Sequence, residues 1–409
     1  MSQVKQESKI EYFKGDKVLW GVIILISAFS VFPVYSASSN LEYIVNSGTT
    51  TGHLTRHVSF VILGLIIMRL VGIVKYEHIG KLSTILLGIS VGLLVLTILS
   101  GNTIDGASAA RWLTIPGTSL SFQPSSVAYL TLIIYLCRYL TKKINRERSP
   151  LENIAYIFGP ILLVFMLVMR DNGSTALMIL MVSVLVLIIG QLNWKYILGF
   201  MASAFTLGSL FLIIATTTDL IGNNRVDTWK SRVTTFLEPS EKIETEEMKA
   251  KNYQVMQAKA AIVHGGITGM GPGKSALKQM LPQSASDFIF AIIVEEYGLI
   301  GASGLIFLYL LLIIRIVIIA SKMPAFFGSL LVLAIGLMIF VQLSVNIAVA
   351  VNLIPVTGQP LPLISYGGTS MLVTYMQLGI VLNVSSRVQV FDEEGLGKKQ
   401  SVNEINDIA

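Results

Sequence analysis

The chain of 409 residues is strongly apolar: 53% of its residues are hydrophobic and 13% are charged. A soluble domain carries about twice that share of charge, and the mean hydropathy of +0.71 also excludes a disordered, collagen-like or disulfide-rich secreted protein. The net charge of +6 comes from basic residues that flank apolar runs, so it indicates a membrane protein and not a nucleic-acid partner. The single cysteine, Cys137, excludes an intrachain disulfide.

Ten apolar runs predict an all-α polytopic membrane protein, because a helix of roughly 20 apolar residues crosses a bilayer. The predicted spans are residues 18–34, 58–74, 82–99, 127–140, 154–169, 175–190, 196–215, 288–319, 325–351 and 370–384. The spans divide the chain into an N-terminal tail (1–17), a membrane domain (18–385) and a C-terminal tail (386–409). The first run also resembles a secretory signal peptide, since lysines precede it and small residues follow it. It is longer than a usual signal core, and we interpret it as an uncleaved helix.

Lysine and arginine are concentrated in alternate loops, which sets the orientation of the spans. On one side of the membrane the short loops hold only three basic residues, Arg56, Arg111 and Arg170. Most other lysines and arginines outside the 217–286 loop lie on the opposite side, together with the two tails. Because short cytoplasmic loops carry the excess of positive charge, both termini are expected in the cytoplasm. The long loop of residues 217–286, between the seventh and eighth spans, is then extracytoplasmic.

Two features stand out inside this loop. Residues 248–264 have the period of a helix, with Tyr253, Met256, Ala260 and Val263 near one face. A glycine series from Gly265 to Gly273 follows the helix and leads into Lys274.

The glycine series has a superficial likeness to a nucleotide-binding loop. It departs from the required spacing because Thr268 stands where that motif needs glycine. We interpret it as a tight turn. The alternative is a loop whose backbone approaches a substrate phosphate together with Lys274 and Lys278.

Asp287 lies where the polar loop meets the eighth span. A carboxylate at such a boundary loses hydration, which suits it to accept a proton. The alternative is a structural role, in which Ser286 or Asp287 caps the helix. Glu295 and Glu296 lie roughly 12–13.5 Å further along that helix, too far to share one proton-transfer site with Asp287. We expect them to form an ion pair or to support helix packing.

Two long motifs carry a resemblance to a known family. Residues 281–301 read LPQSASDFIFAIIVEEYGLIG, and residues 355–370 read PVTGQPLPLISYGGTS. Both resemble signatures of the SEDS proteins, the FtsW/RodA group. The sequences GPGKS at 271–275 and QPLPLISY at 359–366 are closer to its FtsW branch than to its RodA branch. Arg232, Gln254 and the glycine series occur in matching order, and the resemblance covers about residues 15 to 390.

The resemblance implies an activity and a set of site residues. SEDS proteins polymerise lipid II into peptidoglycan strands at the outer face of the cytoplasmic membrane, by inverting glycosyl transfer. The essential acid of the family matches Asp287, which is expected to be the general base. Expected substrate-binding residues are Arg232, Lys274, Lys278, Gln254, Ser365 and Tyr366. Expected supporting residues are Glu295, Glu296, Gly367 and Gly368.

The resemblance also implies partners and a location. They are lipid II, a class B penicillin-binding transpeptidase, other divisome membrane proteins and the membrane lipid, at the division septum. No tightly bound cofactor and no protein metal site are expected. A divalent cation, Mg²⁺ or Mn²⁺, would be held by substrate phosphates. The alternatives are a lipid II flippase, a noncatalytic scaffold for a partner synthase, and a RodA-like polymerase of elongation.

Four positions depart from the family pattern. Ser126 and Tyr129 stand where the family often has glutamate and lysine, and Asn172 and Ser174 stand where it often has aspartate and glycine. A lysine and a carboxylate are thus lost together. If they are partners, the interior stays neutral, because removing one alone would leave a buried charge.

Overall fold

The computed structural model describes residues 15–43, 49–100, 112–114, 121–142, 150–217, 246–276 and 285–406. These residues form helices and one short hairpin. The helices are α1 (Lys17–Tyr43), α2 (Thr50–Ile73), α3 (Tyr76–Ser100), α4 (Pro124–Thr141), α5 (Pro150–Met169), α6 (Gly173–Ile189), α7 (Trp194–Thr217), α8 (Glu246–Gly265), α9 (Ile289–Lys322), α10 (Phe326–Ala350) and α11 (Gly368–Asn406). The hairpin pairs β1 (Leu113–Thr114) with β2 (Ser121–Phe122) in antiparallel register and leads directly into α4.

The helical architecture predicted from the sequence is confirmed. Each predicted span overlaps one helix, and α8 corresponds to the helix predicted inside the long loop. Within the described ranges, six helical segments are long and apolar enough to cross a membrane, and they lie in α1, α2, α3, α5, α9 and α10. The count of ten spans stays a prediction. So does the extent of the long loop, because residues 218–245 and 277–284 lie outside the described residues.

Helices α2 and α11 pack closely against each other. A side chain at Gly64 of α2 would overlap the ring of Tyr375, and one at Gly379 of α11 would lie 2.7 Å from the carbonyl oxygen of Met68. Small residues allow such approach between membrane helices, where packing replaces the hydrophobic effect as the source of association. Apolar side chains such as Ile66, Ile85 and Phe307 face outward and stay exposed, as expected for a bundle surrounded by lipid.

Helix α1 is an integral part of the bundle, which favours the interpretation of the first run as a retained helix. It packs against α2 and α9. The Tyr375 hydroxyl donates to Ser27 of α1 at 2.7 Å. At the cytoplasmic end expected from the charge distribution, Arg315 of α9 pairs with Asp16, which also accepts from the backbone of Leu19 at the start of α1.

Helix α9 is interrupted at Gly298, where φ is +66° and ψ is −172°. A continuous helix of its 34 residues would be about 51 Å long, well beyond the roughly 30 Å of a hydrocarbon core. The interruption therefore divides α9 into a short first part, which begins just after Asp287, and a longer apolar part. The first part carries Glu295 and Glu296 and packs against α8.

Candidate active site

The turn that carries Asp287 is held by hydrogen bonds to three consecutive main-chain carbonyls. The donors belong to α10 and to the 352–367 segment. The pairs are Tyr366 N to Ala285 O (2.8 Å), Ser365 Oγ to Ser286 O, and Asn346 Nδ2 to Asp287 O (3.0 Å). Asp287 is partly exposed, while Ala285 and Phe288 on either side are buried. Its carboxylate is thus carried on a backbone that cannot rotate freely.

The capping position of α9 is occupied by neither of the two residues that the sequence offered for it. The N-cap residue of α9 is Phe288, so neither Ser286 nor Asp287 occupies the capping position. The carboxylate of Asp287 instead faces Gly358: a Cβ built on Gly358 would lie 3.3 Å from Oδ2. Gly358 has φ of +70°, a conformation that favours glycine.

The 352–367 segment is itself fixed by side chains from the helices beneath it. Asn346 and Gln342 of α10 donate to the carbonyls of Gln359 (2.8 Å) and Pro360 (2.9 Å). The hydroxyl of Tyr309 in α9 donates to the carbonyl of Pro362. Asn346 therefore joins two elements, since its amide group donates both to this segment and to the carbonyl of Asp287.

The glycine series after α8 is joined to α9 through backbone hydrogen bonds at the Gly298 interruption. The amides of Met270 and Gly271 donate to the carbonyls of Glu295 (2.9 Å) and Glu296 (3.0 Å). In return, the amides of Leu299 and Ile300 donate to the carbonyls of Gly266 (3.0 Å) and Ile267 (3.2 Å). The loop thus provides hydrogen-bond partners for the backbone amides and carbonyls that would pair with each other in an unbroken helix.

Close backbone contact explains why glycines stand at this junction. A side chain at Gly265 would overlap the carbonyl of Val294, and one at Gly269 would overlap the carbonyl of Glu296. Gly266, Gly269, Gly271 and Gly273 all have positive φ. The tight turn predicted from the sequence is confirmed.

Glu295 and Glu296 are fully buried and support this loop. Glu295 accepts from the Ser275 hydroxyl and from the amide of Ala276 (3.2 Å), while one oxygen of Glu296 accepts from the Ser36 hydroxyl of α1. His264 Nδ1 lies 3.9 Å from Glu295. Among the described residues, no donor reaches the second oxygen of Glu296. The carboxylates thus connect α1, α9 and the loop.

A family match identifies the chain. The model of the family described as "Cell cycle protein", which groups FtsW, RodA and SpoVE, matches residues 16–390. The chain belongs to this family. The expected SEDS resemblance is therefore confirmed, and with the apolar helices it makes the chain a multi-pass membrane protein.

Individual relatives agree with the family. The chain is 33% identical over 390 residues to a protein of Geobacter metallireducens, covering 93% of this chain and 96% of that protein, and 31% identical over 391 residues to one of Enterococcus hirae, covering 92% and 94%. Both are named "Probable peptidoglycan glycosyltransferase FtsW". A solved structure described as "Structural coordination of polymerization and crosslinking by a peptidoglycan synthase complex" superposes with a TM-score of 0.69, at 26% identity, covering 91% of this chain and 98% of that chain.

The family residues expected to bind substrate fall into three groups. Lys274 is exposed at the end of the glycine series, and Gln254 and Tyr366 are partly exposed. Ser365 is buried, and its hydroxyl bonds to the main chain of Ser286 and Leu361, which is a supporting geometry. Arg232 and Lys278 lie outside the described residues.

The two glycines expected to support the site differ in their surroundings. A Cβ on Gly367 would meet open space, while a Cβ on Gly368 would lie 2.7 Å from the ring of Phe60. Tyr366 forms an edge contact with His53, and the neighbouring His57 is paired with Ser30 at 2.9 Å. In the part of the chain that the structure describes, no three His, Cys, Asp or Glu side chains come together as a metal site.

Three of the four positions that depart from the family pattern, Ser126, Tyr129 and Asn172, line one cavity. Tyr129 of α4 and Asn172, which caps α6, line a single small polar cavity together with Thr175 and Gln359. Gln359 donates to the Thr175 hydroxyl at 2.8 Å. A lysine and an aspartate at positions 129 and 172 would face the same space.

Sequence reasoning missed Asn346 and Ser275. Asn346 is one of two amides in the mainly apolar helix α10, and a buried polar side chain in such a helix usually marks a functional or packing role, which would have been a usable signal. Ser275 follows Lys274 directly, but its bond to Glu295 depends on a contact across 20 residues that the sequence does not reveal.

Proposed function

We propose that this chain is a peptidoglycan glycosyltransferase of the FtsW type, which polymerises lipid II at the outer face of the cytoplasmic membrane. The observation that carries this proposal is the placement of Asp287: a partly exposed carboxylate at the mouth of an apolar helix, on a turn held by three hydrogen bonds. The names of the relatives support the reaction class.

Asp287 acts as the general base. The acceptor sugar hydroxyl is a weak nucleophile, so its proton must leave as the oxygen attacks the anomeric carbon of the donor. The proton passes to the Asp287 carboxylate while the bond from that carbon to the lipid pyrophosphate breaks, with inversion. A positioned base contributes roughly 10²–10⁴-fold to such a step. The hydrogen-bonded turn holds the backbone that carries the base.

The leaving pyrophosphate needs positive charge in front of it. Lys274 is exposed on a loop held by backbone bonds to α9, which suits it to this task. We assign the same role, stabilising the pyrophosphate, to Arg232 and Lys278. Gln254 and Tyr366 would contact the sugar or the peptide of the substrate. A divalent cation, Mg²⁺ or Mn²⁺, would enter with the substrate phosphates and neutralise part of their charge.

The cellular setting is part of the proposal. We place the protein in septal synthesis, with both termini in the cytoplasm, beside a class B penicillin-binding transpeptidase and other divisome membrane proteins. The relatives named FtsW support the role in division, and the distribution of lysine and arginine supports the orientation. The similar solved structure is described as part of a peptidoglycan synthase complex, which supports a synthase partner.

A lipid II assay tests the proposal directly. The purified chain is incubated with lipid II, with and without the transpeptidase, and glycan chains are resolved by length. The same preparation is reconstituted in vesicles to measure transbilayer movement of lipid II. We expect chains in the first assay. Lipid II that moves across the bilayer but is never polymerised, even with the partner, would support the flippase alternative instead.

A further inference from the structure

A small polar cavity lies within the bundle, between α4, α6, α10, α11 and the 352–367 segment. Its volume is about 50 Å³. Among the described residues that line it, none carries a charge. The lining is made mainly of amides and hydroxyls, including Gln123, Tyr129, Asn172, Thr175, Gln359 and Gln377.

Two of these side chains have hydrogen-bonding capacity that the protein leaves open. Tyr129 is 6% exposed, and within the described part of the chain its hydroxyl has no hydrogen-bond partner. Gln377 is 4% exposed, and its Nε2 lies 3.9 Å from the sulfur of Met338, a weak acceptor. Buried polar groups in folded proteins nearly always have a partner, which is ordered water where no protein group serves.

The cavity has the size and chemistry for water. One water needs roughly 10–15 Å³ of such space and two to four polar partners. No charged side chain among the described lining residues balances an ion, so we take water as the occupant. We propose that this cavity is an internal hydration site that holds a small number of ordered waters, with the Tyr129 hydroxyl as one of their ligands.

The site lies directly behind the candidate base. Gly358 lines the cavity and also faces the Asp287 carboxylate, since a Cβ on Gly358 would lie 3.3 Å from Oδ2. The hydration site does not depend on the proposed reaction and is tested without it.

Radiolytic hydroxyl-radical labelling of the native protein in detergent provides the first test. An X-ray pulse makes radicals from bound water, which oxidise adjacent side chains even when these are buried. Met178 lines the cavity and is 5% exposed, and Met68 on α2 is 0% exposed and serves as the matched control. We expect Met178 and Tyr129 to be oxidised several-fold faster than Met68. Labelling of Met178 no faster than that of Met68 would overturn the proposal.

The thermal stability of Tyr129→Phe provides a second, independent test. If water binds the hydroxyl, its removal breaks a hydrogen bond, and the melting temperature falls. If the cavity is dry, the change removes an unpaired buried hydroxyl, and the melting temperature rises. Tyr135→Phe on the same helix is the matched control, because the Tyr135 hydroxyl donates to the carbonyl of Tyr156 at 3.0 Å. We expect both variants to melt lower than the native chain. A rise for Tyr129→Phe beside a fall for Tyr135→Phe would contradict the hydration site.

Discussion

Asn346, within the apolar helix α10, donates a hydrogen bond from its side-chain amide to the main-chain carbonyl of Asp287 at 3.0 Å. The same amide group donates to the carbonyl of Gln359 at 2.8 Å. One membrane-buried side chain therefore fixes both the turn of the candidate base and the segment that the base faces.

Replacing Asn346 by leucine keeps the volume but removes both bonds. We expect the free energy of unfolding to fall by about 1–3 kcal/mol, because a buried carbonyl and a part-buried carbonyl each lose a donor. Polymerisation of lipid II should fall further than this loss of stability explains, since Asp287 is no longer held in place. Rates are compared at a temperature where both proteins are fully folded. Ser344→Ala, an exposed position on the same helix, should leave both quantities unchanged. A native rate for Asn346→Leu would show that the hydrogen bond does not position the base.

Gly298→Ala tests the junction between α9 and the glycine loop. The position has φ of +66°, and a Cβ there would overlap the carbonyl of Ile267. A non-glycine residue in this conformation costs about 1–3 kcal/mol, so the melting temperature should fall. Gly304→Ala on the same helix meets no atom within 4 Å and should be neutral or stabilising by up to about 1 kcal/mol. Equal melting temperatures for the two variants would show that the glycine loop does not pack against α9 at Gly298 in the way described.

Helix positions were predictable, because hydrophobicity over about 20 residues carries the information. The turn at Gly265–Gly273 was predictable from its glycines, and the position of Asp287 at the start of a helix was predictable from the apolar run that follows it. The exchange of backbone bonds between this loop and α9 was not, since it joins residues far apart in sequence.

Helix α8 shows a related limit. The helix was predicted correctly, but Tyr253, Met256 and Val263 on the chosen face are 46%, 63% and 77% exposed. The buried contacts are made by Ala258 and Ala261, whose small side chains carry little pattern.

Ser275→Ala tests whether Glu295 positions Lys274 through the loop. Loss of the hydroxyl removes one donor from a buried carboxylate, and the end of the loop should move. If Lys274 stabilises the leaving pyrophosphate, kcat for polymerisation should fall while KM for lipid II changes little. Ser275→Thr should restore most of kcat, whereas Ser321→Ala, exposed near the end of α9, serves as the unaffected control. A change in KM alone would assign the loop to ground-state binding.

Tyr129 and Asn172 line one cavity, so charges placed there should interact. Tyr129→Lys alone should lower the melting temperature, because it introduces an unpaired charge into the bundle. Adding Asn172→Asp should restore part of the loss, and a double-mutant cycle on melting temperatures measures the coupling. A double variant no more stable than Tyr129→Lys would show that the two side chains do not meet.

The most direct test of the account is the rate of lipid II polymerisation by Asp287→Asn, measured with thermal stability on the same preparation. The change keeps the shape and the hydrogen-bonded turn but removes the base, so folding and lipid II binding should persist. We expect the rate to fall by roughly 10²–10⁴-fold, the usual contribution of a positioned acid or base. Glu152→Gln, an exposed acid at the start of α5, should keep the native rate. An Asp287→Asn variant that polymerises lipid II at a near-native rate would contradict the assignment of Asp287 as the base, and with it the site proposed around it.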